Sequence, residues 1–262
     1  MIRRRGPIIL VGVLIALAVA APWIAPYAPD RLDLAHRREP PSAAHWFGTD
    51  ELGRDVFARV LYGARVSLAV GLLSAAVAGL SGIAIGGVAG YTGGAVDSLL
   101  MRITDAAIAV PRLPLLMIAA AVLQPSIPLL VILIGLASWM ETARVTRAEC
   151  RSVGARDFVE AARAVGAGHA RVIGAHLLPN AAPAVIVSIT LAVGRGILLE
   201  SALSFFGVGV RPPEASWGNM LYQAQATLAT EPWLALFPGL FIFTTALSVN
   251  LAGERMAMRA HA

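Results

Sequence analysis

Two ionisable residues, Arg195 and Glu200, lie inside the apolar run from Ala182 to Phe206. Such groups are costly in an apolar medium, so they face protein or a water-filled path. Five positions apart, they are rotated by about 140° around a helix and do not share a face, so each needs its own partner. A lining role along a translocation path is the expectation for both. Glu200 could instead form an interhelical hydrogen bond, and Arg195 could snorkel. Asp33, His36 and Glu39 recur at i, i+3 and i+6 in a polar stretch. A metal could use such a set, but the spacing equally suits a solvated loop face, which is the reading adopted.

All 21 basic residues of the 262 are arginine. Without lysine there is no Walker-type phosphate site, Schiff base or lysine general base. One cysteine, Cys150, gives no intrachain disulfide or zinc cluster, so neither catalytic residues nor a bound cofactor or metal is expected in this chain. Ser81, in Gly79-Leu80-Ser81-Gly82, resembles the serine loop of intramembrane proteases, but no later apolar segment carries a histidine to serve as its base. Only 14% of residues are charged, against about 25% in an ordinary soluble domain, and 57% are apolar. The net charge of +5 therefore records how arginines face a lipid membrane and does not point to nucleic acid.

A spanning helix needs about 20 mainly apolar residues. The first candidate runs from Ile8 to Ala25 behind Arg3, Arg4 and Arg5, and is too long for a signal-peptide core, although Ala18-Val19-Ala20-Ala21 resembles a cleavage site. Residues 26–65 form an expected extracytoplasmic loop, ending in a short interfacial helix capped by Thr49 or Asp50. The second span covers Ser67 to Ala89, and its Gly82, Gly86 and Gly90 form a stripe suited to close helix packing. The stretch from Leu113 to Met140, interrupted by Gln124-Pro125-Ser126-Ile127-Pro128, could be one span or two. The arginine-rich loop that follows favours the cytoplasm and so an even number of prior crossings. Spans at about 106–123, 128–148, 182–206 and 233–251 complete six crossings, with Trp217, Tyr222 and Trp233 at the outer interface and both termini cytoplasmic. Thirteen arginines then lie inside and seven outside. The expected organisation is an N-terminal span and loop at 1–65, a core at 66–253 and a cytoplasmic tail at 254–262.

The loop from Ser152 to Asn180 is polar and patterned. Asp157 or Ser152 could cap a helix through Val165, Gly166 could end it in the left-handed conformation, and a second helix could run from His169 to Leu178 before Pro179 restarts the chain. Two such short helices bury too little surface to be stable alone, which calls for a soluble partner that grips them.

Glu160-Ala161-Ala162, Gly166 and His176-Leu177-Leu178-Pro179-Asn180 resemble the cytoplasmic EAA loop of permease subunits of binding-protein-dependent ABC importers. Phe47-Gly48-Thr49-Asp50-Glu51-Leu52-Gly53-Arg54-Asp55-Val56 and Ser204-Phe205-Phe206-Gly207-Val208-Gly209-Val210 resemble the dipeptide, oligopeptide and nickel branch. Gly168-His169 departs from the branch's commoner small-polar and acidic pair. The resemblance implies an all-α, polytopic inner-membrane protein with six transmembrane helices and the type I ABC importer permease fold. It implies a heterodimer with a second homologous permease subunit, two cytoplasmic ABC ATPase subunits that carry ATP and Mg, and an extracytoplasmic solute-binding protein docking on outer loops that include 207–231. Glu160, Ala161, Ala162, Gly166, His176 and Pro179 would form the ATPase-coupling loop. Peptides are the implied solute, with nickel or a glutathione-like molecule as the alternative.

Overall fold

The computed structural model describes the backbone of residues 2–124 and 126–260 and the side chains of 6–124 and 126–258. The expectation that Arg3, Arg4 and Arg5 hold one end in the cytoplasm rests on side chains outside the described residues, as does the break expected at Pro125. The described elements are helical: α1 (Ile2–Ile24), α2 (Val56–Thr92), α3 (Gly94–Ala109), α4 (Arg112–Leu123), α5 (Ile127–Leu136), α6 (Trp139–Gly154), α7 (Asp157–Ala164), α8 (His169–Phe205), α9 (Trp217–Ala224) and α10 (Trp233–Ala260), with short 3-10 turns between some of them.

Four helices are long and apolar enough to cross a membrane: Gly6–Ile24 of α1, all of α2 and α8, and Trp233–Met258 of α10. Two further pairs reach that length only together, α3 with α4 bent by 80° and α5 with α6 bent by 45°. With each pair as one span the crossings number six. The sharper bend comes at Pro111, which has no N–H to give and pushes Val110 out of helical geometry to ψ 125°. The expected straight third span from Ala106 is corrected accordingly.

The N-terminal half differs from expectation in two ways. The interfacial helix and the second span form one unbroken α2 of 37 residues, so the division drawn at residue 65 falls inside an element. Nothing between Arg65 and Ser67 breaks a helix, and in lipid an unbroken helix satisfies its own backbone. Its cap is Asp55, whose Oδ2 accepts the Ala58 N–H at 2.8 Å, not Thr49 or Asp50. α1 packs on α2 and α10 through Leu14, Ala18 and Ala21, while most of its surface faces outward.

The core sits where α8 crosses α2, α6 and α10. Along α2 the glycine stripe meets α6 at backbone distance. A Cβ on Gly82 would lie 2.9 Å from Trp139 O, on Gly86 2.3 Å from Ala143 O, and on Gly90 2.7 Å from Arg147 O. Trp217, expected at the outer interface, is fully buried in the cluster around Val56, Val60 and Leu68 and donates its Nε1–H to Val60 O at 3.0 Å. A buried indole needs that acceptor. Tyr222 is exposed and Trp233 half-buried.

Candidate functional site

The polar hairpin between α6 and the membrane part of α8 is built from its ends inward. α7 starts at Asp157, with Arg156 at the cap position and no side-chain cap, so neither Asp157 nor Ser152 caps it. Asp157 and Glu160 instead place negative charge in the first turn, where the helix dipole favours it. Gly166 closes α7 at φ +86°. Its N–H donates to Arg163 O at 2.9 Å and that of Ala167 to Ala162 O at 3.0 Å, the paired bonds that end a helix through a left-handed glycine.

The return arm departs from the expected stop at Leu178. Helix α8 runs from His169 straight into the membrane, with a π turn over Val172–Leu177. Pro179 lacks an N–H and its ring crowds the carbonyl of Ala175, and the wide π turn lets the helix pass instead of ending. Val159 and Val172 are buried with Cys150, Val153, Leu177, Ala181 and Val185, which fastens the hairpin to the membrane part. Glu160, Ala161, Gly166 and Pro179 are exposed, while Ala162 and His176 are half-buried. Val165, at the tip, is 86% exposed.

Inside the membrane part, Arg195 and Glu200 are handled differently. Glu200 has 0% exposure. Its Oε2 accepts the Ser67 hydroxyl at 2.9 Å and its Oε1 the Ser204 hydroxyl at 2.8 Å. Ser67 Oγ in turn accepts Trp217 N–H at 3.2 Å, and Ser204 Oγ accepts Val210 N–H at 3.0 Å. The cavity-lining expectation for Glu200 is therefore corrected: enclosed and hydrogen-bonded, it ties α2, α8 and the 207–217 segment together. Arg195 is half-buried, and its buried Nε has no hydrogen-bond partner among the described residues.

Two ionic clusters escaped the sequence reading. On α6, Arg147 grips both carboxylate oxygens of Asp97 on α3, Arg144 pairs with Asp105, and Glu141 pairs with Arg112 of α4. α3 has only Asp97 and Thr104 buried, so the first two pairs lace it to α6 where apolar burial does not, and the third does the same for the start of α4. The residues that carry this signal are two acids of α3, Asp97 and Asp105, set against the arginines of α6, and one acid of α6, Glu141, set against Arg112. On the loop between α1 and α2, Asp50 accepts Arg54 Nε at 2.7 Å and the Leu52 N–H at 2.9 Å, and Arg59 Nε lies 3.6 Å away. Arg59 and Arg54 also reach Gln223 Oε1 of α9, at 3.3 and 3.4 Å. The Phe47–Val56 motif thus fastens the loop to α2 and α9.

Asp33 and His36 meet at 3.0 Å, while Glu39 spends its backbone N–H on Thr49 Oγ1. The hydrogen bond raises the His36 pKa above its ordinary value, and its partner Asp33 is lowered by the same bond. Among the described residues no three His, Cys, Asp or Glu side chains converge as metal ligands. Ser81 lies within unbroken α2, and the four described histidines lie on the loop between α1 and α2 or on the hairpin.

A helical membrane protein with a docked polar hairpin and a structured loop between its first two long helices is the class this architecture defines. The model of the binding-protein-dependent transport system inner membrane component matches residues 82–260, and that of the N-terminal TM domain of oligopeptide transport permease C matches 8–41. The chain is 40% identical over 242 residues to the dipeptide transport system permease protein DppC of Bacillus subtilis, covering 92% of this chain and 76% of the relative. It is 37% identical to the probable D,D-dipeptide transport system permease protein DdpC of Escherichia coli, covering 94% and 83%. Against the glutathione transport system permease protein GsiD of Escherichia coli O6:K15:H31 it is 38% identical, covering 94% and 82%. A crystal structure of an amino acid ABC transporter with histidines shares the fold, with a TM-score of 0.55 over 78% of this chain and 94% of that one at 15% identity. The chain belongs to the binding-protein-dependent transport system inner membrane component family and is a multi-pass permease of an ABC importer.

Proposed function

We propose that this chain forms, with a second homologous permease subunit, the translocation pathway for di- or oligopeptides. The observation that carries the coupling half of the reading is the hairpin, which is anchored by Val159 and Val172 yet presents Glu160, Ala161 and Val165 outward. A β-branched apolar side chain at a polar tip is what a groove on a partner would cover. Two ATPase subunits, holding ATP with its magnesium, grip the hairpins and draw them together, and the membrane helices rock between inward- and outward-open states. Both termini and the hairpin lie in the cytoplasm, and a solute-binding protein docks on the outer loop and the 207–231 segment. Arg195, polar and half-buried in the membrane part of α8, is the residue of this chain proposed for the path. The peptide assignment leans on the dipeptide permeases among the relatives, and the similarity to a glutathione permease makes a glutathione-like solute the second reading.

The test is co-purification and uptake. With the second permease, the ATPases and the binding protein in proteoliposomes, a labelled dipeptide should accumulate only with ATP. Glu160→Arg or Gly166→Val should release the ATPases and abolish uptake while membrane insertion persists. Unchanged co-purification and uptake would overturn the coupling role, and transport by the chain alone would overturn the assembly. In a Cys150→Ala background, a cysteine at the exposed positions 156 and 214 should label from the cytoplasm and from outside, respectively. The reverse pattern would invert the topology.

A further inference from the structure

Between the end of α2 and the hairpin lies a groove of about 690 Å³, lined by Val88, Tyr91, Thr92, Arg163, His169 and Ile173. Arg163 follows buried Val159 by four residues, so it projects from the side of α7 that rests on the membrane part, away from exposed Ala161 and Val165. Its guanidinium sits 5.1 Å from the Tyr91 ring centre, and the Tyr91 hydroxyl is hydrogen-bonded to His169 Nδ1. A cation–π contact of this kind consumes none of the guanidinium's N–H donors, and those pointing away from the ring are open to a planar or tetrahedral oxyanion. No carboxylate lies within 4 Å of Arg163 among the described residues, whereas Arg144, Arg147 and Arg151 of α6 each face an aspartate.

Depth adds a second argument. α2 and α8 each have 37 residues and so extend about 55 Å, well beyond a hydrocarbon layer about 30 Å thick. The apolar run of α2 ends at Ala89, so Tyr91, two residues further on and bonded to His169, stands where hydrocarbon gives way to headgroups, where tyrosine is favoured. A cationic rim at that depth over an apolar floor of Val88 and Ile173 is complementary to a lipid.

We propose that this groove binds the phosphate of an anionic phospholipid from the leaflet on the hairpin's side. Arg163 ligates the phosphate through its edge N–H donors, and Val88 and Ile173 seat the start of an acyl chain. The bound lipid links the hairpin to the bilayer, so headgroup composition tunes how freely the hairpin moves. This inference rests on the membrane position of the helices and is independent of the transported solute.

The test uses the full chain, purified with its companion subunits in detergent and equilibrated with a mixture of phosphatidylglycerol and phosphatidylcholine. Native mass spectrometry should find phosphatidylglycerol enriched several-fold, with the enrichment falling toward parity in Arg163→Gln. Arg156→Gln, which removes an exposed arginine outside the groove, should keep the enrichment, and Arg163→Lys should keep part of it. Matching unfolding midpoints for the three variants exclude a folding defect. Equal retention of both lipids, or enrichment that survives Arg163→Gln, would overturn the proposal. Displacement of the lipid by inorganic phosphate would identify a free-phosphate site and overturn the lipid assignment.

Discussion

The Ser67 hydroxyl donates to Glu200 Oε2 at 2.9 Å and accepts the Trp217 N–H at 3.2 Å, so one small side chain on α2 links the buried carboxyl of α8 to the start of α9. Removing the carboxyl strands the Ser67 and Ser204 hydroxyls in the interior. Glu200→Ala should therefore cost about 2–4 kcal/mol, the penalty of leaving buried donors unmet. Glu200→Gln, which keeps one acceptor oxygen, should cost less than half as much. Thermal unfolding of the purified protein in detergent checks the order, and equal midpoints for the two variants would count against the hub.

Neighbouring glycines on α2 should respond in opposite ways. A Cβ on Gly86 would stand 2.3 Å from the Ala143 carbonyl oxygen, an overlap that can be relieved only by parting α2 from α6. On Gly87 the nearest atom is Leu178 Cδ2 at 3.6 Å, an ordinary van der Waals approach. Gly86→Ala should destabilise by about 1–3 kcal/mol, the range for overpacking, while Gly87→Ala is neutral or slightly stabilising. Denaturation of the two variants side by side decides it.

Arg147 holds Asp97 with Nη2 2.5 Å from Oδ2, and Arg151 NH1 stands 3.6 Å from the same carboxylate. With so little of α3 buried, Asp97→Asn should loosen it more than any other element. Hydrogen exchange across residues 94–109 should rise several-fold while α2 and α8 stay protected. The swap Asp97→Arg with Arg147→Asp should recover part of the protection, and a swap no better than the single change would mean that the pair adds nothing.

The loop between α1 and α2 carries a small pH signature. His36 is raised from 6.5 by Asp33, so its share of the pair is full below that value and fades as pH climbs through the raised one. Asp33 is lowered from 3.8, so its share is full above that value and fades as pH falls through the lowered one. The pair should thus be fully formed between about pH 4 and 6.5. Both groups are open to solvent, so salt weakens the effect. Imidazole titration by NMR should show a His36 pKa above the ordinary value that returns to it in Asp33→Asn.

Elements whose cause is local were legible from the residues. The apolar runs placed the four long helices, and Gly166 gave the end of α7 because few other residues adopt φ +86° cheaply. What failed depended on distant chain. Trp217 was assigned to the membrane surface because indoles gather there, but its acceptor, Val60 O, lies 157 residues away. Ser67, 133 residues before the glutamate it serves, bears no local mark of it, whereas Ser204 follows that glutamate by a single helical turn. Pro179 suggested a break, since a single sequence does not reveal when a π turn will absorb a proline. The EAA-like positions were brought to one exposed hairpin, whereas Arg195 and Glu200 parted company.

One feature reaches beyond its own neighbourhood. Because α8 runs as one helix from His169 to Phe205, it behaves as a single strut between the hairpin and the Glu200 knot. Over a length of about 55 Å, a tilt of about 5° at one end swings the other by about 5 Å. Under the proposed coupling, leverage of that size would let a modest tug on one membrane face open or shut the opposite one, and a kink engineered at the π turn would leave the two faces mechanically deaf to each other.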